Sequence, residues 1–178
     1  SGGQPRDLAS PDINTEDFSA AVDFLGLQKE VDRNRIGLLG VCGWGGMALN
    51  AAAGDTRIKA VATSVMYDMS RAMGHGVGDG KDRYTTADRR AILKHLNEQR
   101  WQDAESGSFA HSNHDLYVDQ KGNVTAANRT LPEALPDNPH PVLKEFFDYY
   151  RVPRGFHARS VNSNGAWTTT MPLSFMNM

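Results

Sequence analysis

The single cysteine of the chain, Cys42, lies where an apolar run breaks into glycines. The segment "LLGVCGWGGMALNAAAG", residues 38–54, reads as a strand that stops near Cys42 and resumes as an alanine-rich helix. A cysteine at the amino end of a helix is favoured as the thiolate, which is the attacking form of the side chain. The pattern therefore predicts a thiol nucleophile. The competing interpretation is that Cys42 is a small apolar residue filling a crowded turn.

The residues around Cys42 follow the spacing of a nucleophile elbow. In such a strand-turn-helix, small residues flank the nucleophile and the next backbone N–H faces the developing oxyanion. "GVCGWGG" places Gly40 two residues before Cys42 and Gly43 directly after it, so Gly43 is the predicted oxyanion donor. Trp44, two residues after Cys42, is a predicted substrate-binding residue. The elbow pattern usually has a small residue at this position. A register shifted by one would align Gly45–Gly46 with the usual glycine pair and leave no nucleophile.

Helices and strands alternate around this segment. "SPDINTEDFSAAVDFLGLQ" has Asn14 or Thr15 as its predicted N-cap and one apolar face at helical spacing, formed by Phe18, Ala21, Val22 and Leu25. "IGLLGV" is nearly continuously apolar, as a strand covered on both faces of a parallel sheet is, and "RIKAVATSVMYD" is a second strand-like run. Helix, strand, helix and strand in this order predict an α/β fold with a parallel sheet.

Asp68 follows the second predicted strand at its carboxyl end. Open α/β sheets place ligands and catalytic groups at that edge, so Asp68 is the candidate acid that would orient a histidine. The competing interpretation is a capping or solvated aspartate, since aspartate is favoured in turns and caps.

The remaining polar motifs predict neither a metal ion nor a cofactor. The spacing His111-x-x-His114-Asp115 could suit a metal, but it lies in a loop-like stretch without further ligands. The glycine series "GHGVGDG" lacks the lysine and the strand context of a phosphate loop. His157, in "RGFHARS", carries no assigned role.

Beyond about residue 70 the pattern changes. Residues 85–106 read as a long helix with Ala91, Ile92, Leu96 and Trp101 on or near one face, and Pro141 could begin another helix. No further alternation of strand and helix is evident. We expect one domain over residues 1–178 with a mostly helical cap inserted at 71–157, a type of region that often carries specificity.

The charge, the apolar runs and the cysteine count of the chain bear on its partners and its location. The net charge of −2 and the pI near 6.3 leave no basic excess for a phosphate backbone, so no nucleic acid is expected. No apolar run reaches the roughly 18 to 20 residues of a membrane-spanning helix. One cysteine cannot form an internal disulfide, which fits a reducing compartment and predicts a cytoplasmic location.

Four stretches carry a resemblance to a known family: "SGGQPR", "DINTEDFSAAVDFL", "RIGLLGVCGWGGMALNAAAGDTRIKAVATSVMYDM" and "YYRVPRGFHARSVNSNGAWTTTMPLSF". Together they resemble the α/β-hydrolase superfamily, in its dienelactone-hydrolase-like and peptidase-like bacterial branch. The resemblance implies a hydrolase of a small acyl substrate and a catalytic histidine that lies beyond "LSF". The chain then corresponds to the central part of such a protein, and by itself we expect little or no hydrolase activity.

Counting strands leads to a related expectation. Two parallel strands with one crossover leave most of their apolar edges and faces uncovered, and a stable sheet needs more neighbours. Three explanations stay open: the chain is the middle of a longer protein, a second copy completes the sheet, or it has strands that its pattern does not reveal. A non-catalytic member of the fold, acting in binding or assembly, is the alternative to the enzyme.

Overall fold

A computed structural model of the chain describes residues 3–78 and 81–176. The described residues form two compact units. One lies within Ser1–Leu8 and Gly80–Leu173, and the other lies within Ala9–Asp79 and Ser174–Met178. The unit that contains Cys42 is called the elbow unit. The other unit contains the long helix over Thr86–Ser106 and is called the partner-helix unit. The single domain with a cap at 71–157 stays a prediction.

The elbow unit contains a short parallel β-α-β motif, as the alternation of strand and helix predicts. Its elements are α1 (Pro11–Gly26), β1 (Ile36–Val41), α2 (Trp44–Gly54), β2 (Ile58–Ser64), α3 (Met69–His75) and β3 (Val77–Gly78). β1 and β2 pair in parallel, from Ile36 opposite Ile58 to Val41 opposite Ser64. The carboxyl ends of the two strands therefore lie side by side. The chain has a mixed α/β structure.

The first helix begins earlier than the sequence pattern predicts. α1 starts at Pro11 after Ser10, so the prediction of Asn14 or Thr15 as N-cap was wrong. Proline is favoured in the first turn because the N–H it lacks has no partner there. Asn14 lies inside that turn, where its Oδ1 accepts the backbone N–H of Ser10 at 2.9 Å. Val22 is buried, but Leu25 on the predicted apolar face is partly exposed.

The sheet of β1 and β2 is largely uncovered. β2 is exposed from Lys59 to Ser64, and β1 is buried only at Ile36 and Gly40. Leu39 exposes 66% of its surface, and Val61 exposes 38%. Parallel sheets are normally covered on both faces, so the expectation that "IGLLGV" is buried on both sides does not hold within this chain. The structure instead shows the uncovered apolar strands that the strand count anticipates.

The partner-helix unit contains short strands besides its helices, which the mostly helical prediction missed. Its elements are β4 (Lys81–Asp82), α4 (Thr86–Ser106), β5 (His111–Ser112), β6 (Leu116–Val118), β7 (Val124–Ala126), α5 (Pro141–Tyr150), α6 (Val161–Asn164) and β8 (Trp167–Thr168). The last helix, α7 (Leu173–Met176), begins at the final residue of this unit, and its other residues belong to the elbow unit. β5 pairs with β8, and β6 with β7, both antiparallel. Strands of two or three residues are too short to show alternation, so periodicity could not reveal them.

The long helix α4 is confirmed, but its predicted apolar face is only partly right. Thr85 caps it: the side chain accepts the N–H of Asp88, and the Asp88 carboxylate accepts the N–H of Thr85. Ile92 and Leu96 are fully buried, whereas Trp101 exposes 73% of its surface. The burial of two residues four positions apart anchors the helix, and Trp101 takes no part in the core.

Candidate functional site

Cys42 occupies a strained turn between β1 and α2. Its φ is +60°, in the left-handed region that residues with a Cβ rarely adopt. The N–H of Cys42 donates to the carbonyl of Ser64 at the end of β2, and the N–H of Gly45 donates to the carbonyl of Cys42; both distances are 3.0 Å. These bonds fix the reversal at the carboxyl edge of the sheet. Gly43 has φ −58° and ψ −29°, so the left-handed residue falls in the first register and not in the shifted one.

Close packing explains the glycines of this turn. A Cβ on Gly40 would lie 2.7 Å from the Cα of Gly45 and 2.7 Å from the Cβ of Ala48. A Cβ on Gly45 would lie 2.7 Å from the Cγ of Met66. The first turn of α2 therefore lies directly against the end of β1, a separation that only glycine allows.

Gly43 and Trp44 begin α2. Gly43 is its N-cap and Trp44 its first residue, and the first N–H groups of a helix have no acceptor within that helix. Backbone N–H groups at such an end are suited to a negative charge. A Cβ on Gly43 would lie 2.4 Å from the Sδ of Met69, so a larger residue there would displace the Met69 side chain. Trp44 is partly buried, and its substrate-side role stays a prediction.

The end of β2 carries a second strained residue, which sequence reasoning missed. Val65 has φ +45° and directly follows β2, as Cys42 directly follows β1. A β-branched residue in this conformation is an outlier. No sequence signal marks it, because valine fits the apolar run around it. The turn directs residues 66–69 against the first turn of α2, where Met66 and Met69 approach Gly45 and Gly43.

Asp68 lies on the same side of the elbow as Gly43. Both residues line one cavity of about 330 Å³. Asp68 is exposed and is the N-cap of α3, where its Oδ1 accepts the N–H of Arg71 at 3.0 Å. This is the capping arrangement that sequence analysis gave as the competing interpretation. The catalytic role of Asp68 remains a prediction.

The histidines do not converge on the elbow within its own unit. The sequence of that unit contains one histidine, His75, at the carboxyl end of α3. In the other unit, His111 lies beside Asp7, with 3.4 Å between Nε2 and Oδ2. His157 is exposed, and its Nδ1 accepts the N–H of Arg159. Across residues 3–78 and 81–176, no group of three or more acidic, histidine or cysteine side chains is arranged to hold a metal ion.

His114 is the one histidine with a clear electrostatic perturbation among those described. Burial lowers its pKa, and the neighbouring carboxylate of Asp115 opposes that shift. Its ring lies edge-on to the indole of Trp167, with the ring centroids 6.2 Å apart. The Nδ1 atom is buried and finds no hydrogen-bond partner in the described part of the chain. This environment favours the neutral ring.

The helices described in the structure include none with the length and apolar character needed to cross a lipid bilayer.

Comparison with known proteins identifies bacterial relatives without an assigned function. The chain is 53% identical over 178 residues to the uncharacterized protein PA2218 of Pseudomonas aeruginosa, covering all of this chain and 43% of that protein. It is 30% identical over 154 residues to the uncharacterized protein YcjY of Escherichia coli K12, covering 86% of this chain and 44% of that protein. No family model matches the chain.

A solved structure supports the observed fold. The crystal structure of the hypothetical protein PA2218 superimposes with a TM-score of 0.81 at 52% sequence identity, and the match covers 99% of this chain and 49% of that one. The chain thus spans less than half the length of the relatives it matches.

Proposed function

We propose that the chain is part of an α/β-hydrolase-like enzyme that cleaves an ester, thioester, lactone or amide of a small acyl substrate through Cys42. The observation that carries the proposal is the left-handed backbone of Cys42 at the junction of β1 and α2. A strained strand-to-helix turn of this kind exposes the nucleophile in α/β-hydrolases. Strain of this type clusters at functional sites, which also supports the assignment.

The reaction would proceed through an acyl-thioester. The Cys42 thiolate attacks the substrate carbonyl, a bond forms between sulfur and carbon, and the carbonyl electron pair moves to oxygen. The N–H of Gly43 donates to this oxyanion. Collapse expels the alcohol, thiol or amine, which takes up a proton. Water then attacks the thioester, the acid is released, and the thiolate is regenerated.

The second step needs a general base, and the proposal assigns it to a histidine contributed from outside this chain. Within residues 3–78 and 81–176, the lining of the cavity beside Gly43 includes no histidine. Asp68 already accepts a backbone N–H as the N-cap of α3, which supports a capping role over an orienting one. Acylation without efficient deacylation is therefore expected for the 178-residue chain.

Acyl transfer to the single cysteine tests the proposal directly. The folded chain is incubated with 4-nitrophenyl acetate near neutral pH and its intact mass is measured over time. We expect one acetyl group per chain on Cys42, added faster than to the thiol of free glutathione, with no sustained turnover. Cys42→Ala is the matched control and should gain no acetyl group.

Two results would contradict the proposal that Cys42 is the nucleophile of a hydrolase. If Cys42 reacts with neither the ester nor iodoacetamide until the chain is unfolded, it is a structural cysteine and the non-catalytic interpretation takes its place. If the folded chain is acylated equally in the Cys42→Ala variant, the nucleophile is a different residue.

A second proposal, of assembly, is favoured by the uncovered strands. In the described part of the chain β1 and β2 form a sheet of two strands, so each strand has one edge whose backbone groups could pair with a strand of a second copy. Their exposed apolar side chains would be covered in such an assembly. Sedimentation velocity measures this directly, and a monomer over a wide concentration range would exclude it.

A further inference from the structure

We propose that the cavity beside the elbow binds the aliphatic acyl chain of a neutral substrate, an inference that rests on the proposed function and names its substrate class. The cavity has a volume of about 330 Å³, at the small end of the range for ligand sites. Gly43, the predicted oxyanion donor, is one of its lining residues. An acyl carbonyl held at Gly43 would therefore have its chain next to this cavity.

The cavity exists because of the backbone on both of its sides. Val65, at φ +45°, directs the following residues against the first turn of α2. On the α2 side Gly46 leaves the space open, because a Cβ there would meet only the carbonyl oxygen of Tyr67, at 3.8 Å. A glycine that packing does not require and that faces an apolar cavity leaves room for a ligand.

Its lining is apolar and adaptable. Met47, Met66, Met69, Leu49 and Phe175 contribute most of the apolar side chains. Met47, Met69 and Phe175 are nearly fully buried. Methionine is unbranched and polarizable, so it adapts to flexible aliphatic groups. This lining suits an alkyl chain better than a sugar, a nucleotide or a peptide backbone.

Charge selects a neutral ligand. Among the described residues that line the cavity, Asp68 is the one with an acidic or basic side chain of the Asp, Glu, Lys, Arg and His types. A free carboxylate brought into the cavity would meet the like charge of Asp68, whereas an ester, thioester or amide would not. Thr15 and Asn50 also line the cavity, and the Nδ2 of Asn50 donates a hydrogen bond to the Oγ1 of Thr15 at 3.0 Å.

The binding experiment uses linear amides and the methionine methyl groups as reporters. The chain is labelled with methyl-¹³C methionine and titrated with butanamide, hexanamide and octanamide. We expect saturable shifts at Met47, Met66 and Met69, and none at Met73, which is buried on α3 but does not line the cavity. Each added methylene should tighten binding about fourfold until the cavity is full.

One matched pair of variants tests the position of the site, and two ligands with a third variant test the charge. Gly46→Leu fills the cavity and should weaken hexanamide binding by about tenfold or more, which corresponds to losing nearly two buried methylenes. Gly54→Leu, at the open end of the same helix, should leave binding unchanged. Hexanamide should bind more tightly than hexanoate, and Asp68→Asn, which keeps a capping side chain, should reduce that difference.

The outcomes separate this inference from the proposed function, because binding is measured without turnover and also on Cys42→Ala. Saturable binding that Gly46→Leu removes supports the acyl cavity, whether or not Cys42 is acylated. Equal shifts at Met73, no saturation with any amide, or undiminished binding by Gly46→Leu would overturn it. Loss of acylation alone would refute only the nucleophile.

Discussion

Replacing Gly40 by alanine tests whether close packing holds the elbow together. The new Cβ would lie 2.7 Å from the Cα of Gly45, 2.8 Å from the carbonyl oxygen of Trp44 and 2.7 Å from the Cβ of Ala48. Two of these atoms are backbone, and the third belongs to a fully buried side chain. None of them can move without shifting the first turn of α2 away from β1.

The expected magnitude is a difference between two opposing effects. Overpacking a rigid site costs about 1–3 kcal/mol. Alanine in a strand gains roughly 0.5–1 kcal/mol over glycine, because glycine loses more backbone freedom on folding. We therefore expect Gly40→Ala to lower the free energy of unfolding by about 1–2 kcal/mol, combining the two effects. For a chain of this length that lowers Tm by about 2–8 °C.

Urea denaturation followed by circular dichroism measures the effect, with Gly46→Ala as the matched control. A Cβ on Gly46 makes only ordinary contact, and alanine favours helix, so the control should gain up to about 1 kcal/mol. The Cys42 alkylation rate should also change in Gly40→Ala, since the turn that presents the thiol moves. If Gly40→Ala proves as stable as the parent chain, the close packing of the elbow is not what requires glycine.

Two further predictions concern the partner-helix unit. Thr85→Ala removes the side-chain acceptor at the start of α4 and should lower the free energy of unfolding by about 1 kcal/mol, whereas Thr85→Ser should retain it; thermal unfolding compares the two variants. The pKa of His114 is lowered in the folded chain, so the unfolded chain takes up more protons as the pH falls through the ordinary histidine value of 6.5. The free energy of unfolding should therefore fall with decreasing pH in that range, and His114→Gln should flatten this dependence in urea titrations at pH 5 to 7. An unchanged slope in His114→Gln would show that other groups produce the dependence.

Elements with strong local signals could be predicted from the residues alone. The apolar run of β1, the closing Gly54 of α2, and Pro141 at the start of α5 each mark an element that the structure contains. Local rules were less reliable for helix boundaries, because Pro11 began α1 before the expected caps. Of the predicted apolar face of α4, Ile92 and Leu96 are buried and Trp101 is exposed. Helical spacing shows which residues share a face, but not how much of that face other elements cover.

At the site, the glycine pattern predicted where the turn falls, whereas the backbone geometry of the turn is visible only in the folded chain. The glycines around Cys42 predict a tight reversal because only small residues allow it. The left-handed Val65 has no sequence signal, because valine suits the apolar run around it and β-branched residues rarely adopt a φ of +45°. The folded chain brings Asp68, Gly43 and Gly46 together at one cavity. Spacing along a chain cannot determine a volume enclosed by several elements, so only the folded structure shows the cavity.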